Sequence, residues 1–341
     1  MHLLITGGAG FIGSNFIRYI LNKYSDYSVV NLDKLTYAGN LDNLKDVERE
    51  VGMTNSRYKF IKGDICDEKL VFEIVKNVDV IVNFAAETHV DRSIHFNDGE
   101  FIRTDILGTV TLLEAVRRCP NIKKYIQIST DEVYGDIEEN YFSKETDRLR
   151  PSNPYSASKA GGDLQVLSYI RTYDVPAMIT RCSNNYGSYM HLEKMIPLFI
   201  TNLLLDKKVP VYGDGKQIRD WLFVEDHCSA IDLVLHEGKL GEIYNIGANN
   251  EPEVSNLSIT LELLKLLGKD ESFIEYVKDR PGHDRRYAIN CEKIKSLGWK
   301  ANYNLEKGLE MTVSWYRENS WWWEKVRESG DFREWEGVIR N

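Results

Sequence analysis

Tyr155 and Lys159 stand four residues apart, so on a helix they share one face. A phenol, with a reference pKa of about 10, is a poor base at neutral pH, but a neighbouring ammonium and a positive nicotinamide both favour the phenolate. Such a phenolate can take the proton of a hydroxyl while hydride leaves the same carbon. Upstream, Ser129-Thr130-Asp131-Glu132-Val133-Tyr134-Gly135 brings a hydroxyl and two carboxyls together at the end of an apolar run. In an extended strand Thr130 and Glu132 point one way and Asp131 the other. All three reach one ligand only if the chain turns out of the strand there, which Gly135 permits. Taken singly, the first pair reads as an exposed helix pair and the second as an acidic loop. A site for an electron acceptor is what would join them.

Gly7-Gly8-Ala9-Gly10-Phe11-Ile12-Gly13 offers that site. Gly8, Gly10 and Gly13 fit G-x-G-x-x-G, and Gly7, Gly10 and Gly13 fit the wider G-x-x-G-x-x-G. The loop follows the first strand and opens a helix, so its backbone can approach a pyrophosphate without Cβ obstruction while the helix N-terminus offers free N–H groups. Asp33 lies twenty residues beyond Gly13, where a carboxylate accepts from the adenosine ribose hydroxyls and repels a 2′-phosphate. The two signals together favour NAD over NADP. Lys34 is the ambiguity, since a cation there tolerates extra phosphate. Asp64, after the third strand, either meets the adenine edge or caps the next helix. Asn83-Phe84-Ala85-Ala86 closes the fourth strand with small residues across which a dinucleotide can lie, as ligands do at the strand tips of open α/β sheets.

These residues need a parallel sheet to carry them. Strand candidates at 2–6, 28–32, 58–62, 79–83, 123–130 and 175–181 alternate with helical stretches, which implies right-handed βαβ crossovers. Runs such as Val80-Ile81-Val82 are apolar throughout, as strands covered on both faces are. The expected fold is α/β: a Rossmann-type doubly wound parallel sheet with a smaller α/β substrate lobe. Residues 1–186 form the dinucleotide domain, with segments at about 220–247 and 289–313 returning to it. Residues 187–341 form most of the second lobe. In the tail, Trp315, Trp321, Trp322, Trp323 and Trp335 cannot all face one way on a helix, so some pack and some stay near the surface, on a helix docked to the small lobe.

Forty-three Lys and Arg against fifty-two Asp and Glu give a net charge of −9 over 341 residues. That acidic balance argues against sequence-independent binding to nucleic acid, which needs a basic surface. No apolar run approaches the ~20 residues that span a bilayer, and the first strand begins at residue 2, so neither a membrane partner nor a signal peptide is expected and the compartment is the cytoplasm. Five scattered cysteines without a C-x-x-C pair indicate neither a disulfide frame nor a metal site.

Longer runs carry a resemblance. Asn31-Leu32-Asp33-Lys34-Leu35-Thr36-Tyr37-Ala38-Gly39-Asn40, Ala85-Ala86-Glu87-Thr88-His89-Val90-Asp91-Arg92-Ser93, the triplet Thr130-Asp131-Glu132, Ser183-Asn184-Asn185-Tyr186-Gly187 and Asp279-Arg280-Pro281-Gly282-His283-Asp284-Arg285-Arg286-Tyr287 are involved. With them the chain resembles, over nearly its whole length, the extended short-chain dehydrogenase/reductase family and most closely its dTDP-glucose 4,6-dehydratases. The resemblance implies an NAD-dependent hydro-lyase of deoxysugar biosynthesis that forms a 4-keto-6-deoxyhexose nucleotide by moving hydride from C4 to C6 through NAD. It implies that Tyr155, helped by Thr130 and Lys159, takes the C4 hydroxyl proton. Once C4 is a ketone the C5 proton is acidic, and loss of water across C5–C6 needs a base and an acid. The resemblance makes Glu132 the base and Asp131 the acid. Asp131 must then be protonated, which burial or the like charge of Glu132 would bring about.

The same resemblance places Gly7, Gly10, Phe11, Ile12, Gly13, Asp33, Lys34, Leu35, Thr36, Asp64, Ile65, Phe84, Ala85, Ala86, Thr104, Tyr155, Lys159 and Asn185 beside the cofactor. Thr88, Thr130, Asn184, Lys194, Pro210, Tyr212, Arg219, Arg280 and His283 face the nucleotide sugar, the arginines suiting a diphosphate through their planar forks. It also suggests a homodimer through the helix near 97–118, with Phe101, Ile102, Ile106 and Leu107, and the helix carrying Tyr155. Two departures touch the nucleotide end: Gly187-Ser188-Tyr189-Met190-His191-Leu192 where the family reads Gly-Pro-Tyr, and Val254, with Asn256 nearby, where it has Asn. Three alternatives stand beside this reading. One is a UDP-hexose 4-epimerase, which shares Thr130, Tyr155 and Lys159 but has no need of Asp131-Glu132. The others are a dehydratase for another nucleotide sugar and a non-enzymatic sensor of both ligands.

Overall fold

The computed structural model describes residues 1–52, 57–96 and 99–339. Its strands are β1 (His2–Thr6), β2 (Ser28–Asp33), β3 (Tyr58–Lys62), β4 (Val80–Asn83), β5 (Lys124–Thr130) and β6 (Ala177–Cys182). The chain continues through β7 (Asn184–Tyr186), β8 (Val209–Tyr212), β9 (Ile218–Arg219), β10 (Trp221–Phe223), β11 (Ile243–Ile246), β12 (Val254–Ser255) and β13 (Ile274–Val277). Seven of these form one parallel sheet in the order β11-β6-β5-β4-β1-β2-β3. β6 starts two residues later than its apolar run because Pro176 has no N–H to give a neighbour. β11 is four residues long and carries Asn245, too short and too polar to read as a strand from its pattern.

Alternate side chains bury on opposite faces of the sheet. Leu3, Ile5, Val82, Ile126 and Met178 join one apolar cluster, and Leu4, Leu32, Ile81, Tyr125 and Ile179 join the other. The chain leaves β1 toward β2 and β3 on one side and toward β4, β5 and β6 on the other, so a crevice opens at the carboxyl ends of β1 and β4.

A third cluster forms the smaller lobe from Tyr186, Leu192, Ile196, Phe199, Val209 and the C-terminal helices. Ile289, Cys291, Ile294 and Trp299 pack with the sheet, whereas Leu309 and Val313 pack in this second core. The tail tryptophans divide: Trp322, Trp323 and Trp335 are buried and Trp321 is exposed. Trp322 Nε1 donates to Asn43 Oδ1 at 2.8 Å, and Asn43 Nδ2 donates to the Ala9 carbonyl at 2.9 Å, so the last helices are tied to the glycine loop. Among the described residues no helix is long and apolar enough to cross a membrane.

Candidate active site at the strand tips

The glycine loop sits in the crevice. Gly7 has φ 67, and a Cβ there would stand 2.5 Å from the Ala85 nitrogen; one on Gly13 would stand 2.5 Å from the Gly7 carbonyl. The loop is therefore a cradle that side chains would fill. Helix Phe11–Lys23 begins at Gly10 with no side-chain cap and no acid in its first turn, leaving its N–H groups to an anion. Asp33 accepts the Ala9 N–H at 2.9 Å and the Leu35 N–H at 2.7 Å, while burial pushes its pKa up. Lys34 lies 3.2 Å from Asp64 and 3.0 Å from Glu100. Two carboxylates thus already meet its charge, leaving little for a 2′-phosphate.

A cleft of about 1480 Å³ runs from this loop to the Tyr155 helix. Its wall holds Gly7, Gly10, Phe11, Ile12, Gly13, Asp33, Lys34, Thr36, Asp64, Ile65, Phe84, Ala85, Ala86, Thr104, Tyr155, Lys159 and Asn185. Leu35 gives only its backbone N–H to Asp33 and is not in the wall. Thr88, expected at the sugar, lines this cleft, with its hydroxyl 3.1 Å from that of Tyr37. The cradle, the uncapped helix and a cleft that reaches from the glycine loop to Tyr155 fit a dinucleotide.

Tyr155 enters on the first turn of helix Pro154–Tyr173. That helix starts sharply because Asn153 and Ser156 form a capping box and Pro154 has no N–H left to satisfy. Lys159, one turn on, donates to the Ile128 carbonyl at 2.9 Å. From the sequence, this ammonium and a positive nicotinamide together favour the Tyr155 phenolate. Burial first, then the charges of Glu132 and Asp105, hold the Tyr155 phenol well above its ordinary pKa. A further cation brought into the cleft would act against these causes.

The strand-alternation problem at Thr130-Asp131-Glu132 is solved by a 3-10 turn, Asp131–Tyr134, that leaves β5 at once. Thr130 caps it, accepting the Glu132 N–H at 3.3 Å and donating to Asp131 Oδ1 at 3.2 Å. Gly135 closes the turn at φ 78. Asp131 is buried, and burial followed by the charge of Glu132 raises its pKa well above the carboxylate range. Its Oδ2 has no partner among the described residues. Below the same helix, Asp105 accepts the Ser158 hydroxyl at 2.5 Å and the Glu87 N–H at 3.0 Å. Burial pushes Asp105 up to about 6, and burial with the charge of Asp105 pushes Glu87 to about 7.

A second cavity of about 950 Å³ opens into the small lobe and shares Glu132, Asn184, Met190 and Lys194 with the first. Pro210, Tyr212, Arg219, Arg280 and His283 line it. Arg219 lies 4.1 Å above the Tyr287 ring and donates to the Ile218 and Asp284 carbonyls. Arg280 lies 3.6 Å from Asp91, and His283 lies 2.6 Å from Asp279. Lys194, Arg219 and Arg280 put three cations on this wall, able to meet an anion, and Glu132 and Asn184 join its inner end to the first cleft.

A family model described as GDP-mannose 4,6 dehydratase matches residues 4–312. The chain belongs to this 4,6-dehydratase family. It is 47% identical to dTDP-glucose 4,6-dehydratase 1 of Escherichia coli over 98% of each chain. It is 51% identical to a low-salt glycan biosynthesis protein of Haloferax volcanii, over 93% of this chain and 98% of the relative. Among solved structures, the dTDP-glucose 4,6-dehydratase of Bacillus anthracis in complex with NAD superposes with a TM-score of 0.88 at 50% identity, over 96% of this chain and 99% of that one.

This family member also holds residues at its site that sequence reasoning passed over. His89 and Asp91 line the second cavity, as do Thr260 and Trp335. Tyr287 donates to Asp284 at 2.7 Å and lies 3.5 Å from Glu132 Oε2. His89, Asp91 and Tyr287 all fall inside runs that carry the resemblance, so a signal existed. Trp335 had none, because its contact with the cavity is made by folding alone.

Proposed function

We propose that the protein is a dTDP-glucose 4,6-dehydratase acting with NAD, a hydro-lyase that forms dTDP-4-keto-6-deoxyglucose. The observation that carries this is the shared inner end of the two cavities. Glu132 lines both cavities there, and Thr130, the buried acid Asp131 and Tyr155 line the first one beside it. An epimerase has no use for the acid pair. The relatives named dTDP-glucose 4,6-dehydratase, nearly equal in length to this chain, support the substrate.

NAD, when bound, supplies reversible storage of a hydride. The chain's own groups do the rest. Tyr155 accepts the C4 hydroxyl proton, with Thr130 orienting that hydroxyl. Glu132 takes the C5 proton, and Asp131 protonates the departing C6 hydroxyl so that water leaves. Lys194, Arg219 and Arg280 hold the diphosphate, and Pro210, Tyr212 and His283 the base. Exposed Ile102 and Leu107, with Leu164 on the helix of Tyr155, support a homodimer through that face, whereas Phe101 is buried against Val90 and Tyr155; of the helix expected near 97–118, Asn97 and Asp98 lie outside the described residues. Five unpaired thiols support a reducing, cytoplasmic setting.

The test is dTDP-glucose deuterated at C4, run beside UDP-, CDP- and GDP-hexoses. The product should be lighter by one water, with deuterium in the new methyl group. Product of unchanged mass would indicate epimerisation instead, and turnover of only a non-thymidine sugar would overturn the substrate.

A further inference from the structure

We infer that His89 is a positioning residue that holds Lys194 at the boundary between the two cavities, an inference resting on the reading of Lys194 as a diphosphate ligand. His89 has φ 99 and ψ 114, a backbone region that a non-glycine residue keeps only where its surroundings fix it. What fixes it reaches across the two lobes. Its Nε2–H donates to the Glu193 carbonyl at 2.8 Å. Arg92, three residues on, clamps the Glu193 carboxylate with bonds of 2.7 and 2.5 Å. Both ends of Glu193 are therefore held from the segment that follows β4, and Lys194 is the next residue.

The Lys194 ammonium lines both cavities, yet among the described residues no hydrogen bond or ion pair holds it. Its place is set from the backbone, and so by His89 and Arg92 acting on Glu193. The His89 ring stands edge-on to Trp335, centroids 5.6 Å apart, which fixes its plane. With the proton on Nε2, its Nδ1 is a bare acceptor, 3.8 Å from Asp91. Burial, then the charges of Lys194, Arg280 and Arg92, keep the ring neutral, so it orients Lys194 without repelling it.

The test compares His89→Ala, His89→Gln, Lys194→Met and the double variant His89→Ala/Lys194→Met. It reads kcat, KM for the nucleotide sugar and NAD affinity. His89→Ala should raise KM by roughly tenfold, the loss of one buried hydrogen bond, with kcat and NAD affinity little changed. Gln, which keeps a donor at similar reach, should restore much of it. In the double variant KM should be no worse than in Lys194→Met alone, because both changes act through one ammonium. Multiplying effects in the double variant, or a fall in kcat with KM unmoved, would overturn the role of His89 alone. An unchanged KM in Lys194→Met would remove the reading of Lys194 and this inference with it.

Discussion

The Lys159 ammonium donates to the Ile128 carbonyl at 2.9 Å, two residues before Thr130 on the strand that delivers the acid pair. The helix bearing Tyr155 is thereby pinned to the strand that leads into Asp131 and Glu132, so Tyr155 and the two carboxyls keep one spacing. The same bond fixes where the Lys159 charge sits relative to Tyr155.

The first prediction concerns Tyr155. Since burial and nearby carboxylates hold its phenol protonated, NAD should lower its titration. Phenolate difference absorbance, with Tyr155→Phe as blank, should show ionisation at lower pH in NAD-loaded than in NAD-stripped protein. Identical titrations would refute this.

Asp131→Asn and Glu132→Gln should each cut product formation by ~10²–10⁴-fold, the usual worth of a general acid or base. Oxidation at C4 should persist in part, visible as NADH absorbance that builds up and fails to decay. Product at the parental rate in both variants would withdraw the assigned roles.

Glu87 gives a pH dependence of stability. Its pKa in the fold, about 7, lies above the ordinary 4.5, so the fold favours the protonated form. Its stabilising contribution is full below 4.5 and is lost as pH rises through about 7. Glu87→Gln should therefore gain on the parent by about 2–3 kcal/mol between about pH 4 and about pH 8. Urea unfolding of NAD-stripped protein at the two pH values checks it; a gap that does not widen with pH counts against it.

Cofactor choice is the fourth. Asp33→Asn should weaken NAD binding by roughly tenfold or more, as loss of a charged hydrogen-bond acceptor does. It should bring little affinity for NADP while Asp64 and Glu100 hold Lys34. Adding Glu100→Gln should then improve NADP binding; fluorescence titration with both reduced cofactors decides.

The parallel sheet was legible in the sequence because strands buried on both faces leave unbroken apolar runs such as Val80-Ile81-Val82. The glycine loop and Asp33 were legible because backbone approach and ribose contact demand those residues at that spacing. β11 was not, since four residues with a central Asn carry no period. Nor was the source of the Tyr155 pKa. The Tyr–Lys spacing says the two share a face, but only the fold shows that Lys159 turns to Ile128 and that Asp105, fifty residues away in the chain, supplies an opposing charge.

The bridge from Trp322 through Asn43 to the Ala9 carbonyl has a bearing on biogenesis. Ala9 precedes Trp322 by more than three hundred residues, so the dinucleotide cradle cannot acquire its full bracing until the chain through Trp322 has been made. A nascent chain halted before the tryptophan cluster would carry the whole parallel sheet and still present a slacker grip on its coenzyme than the released protein.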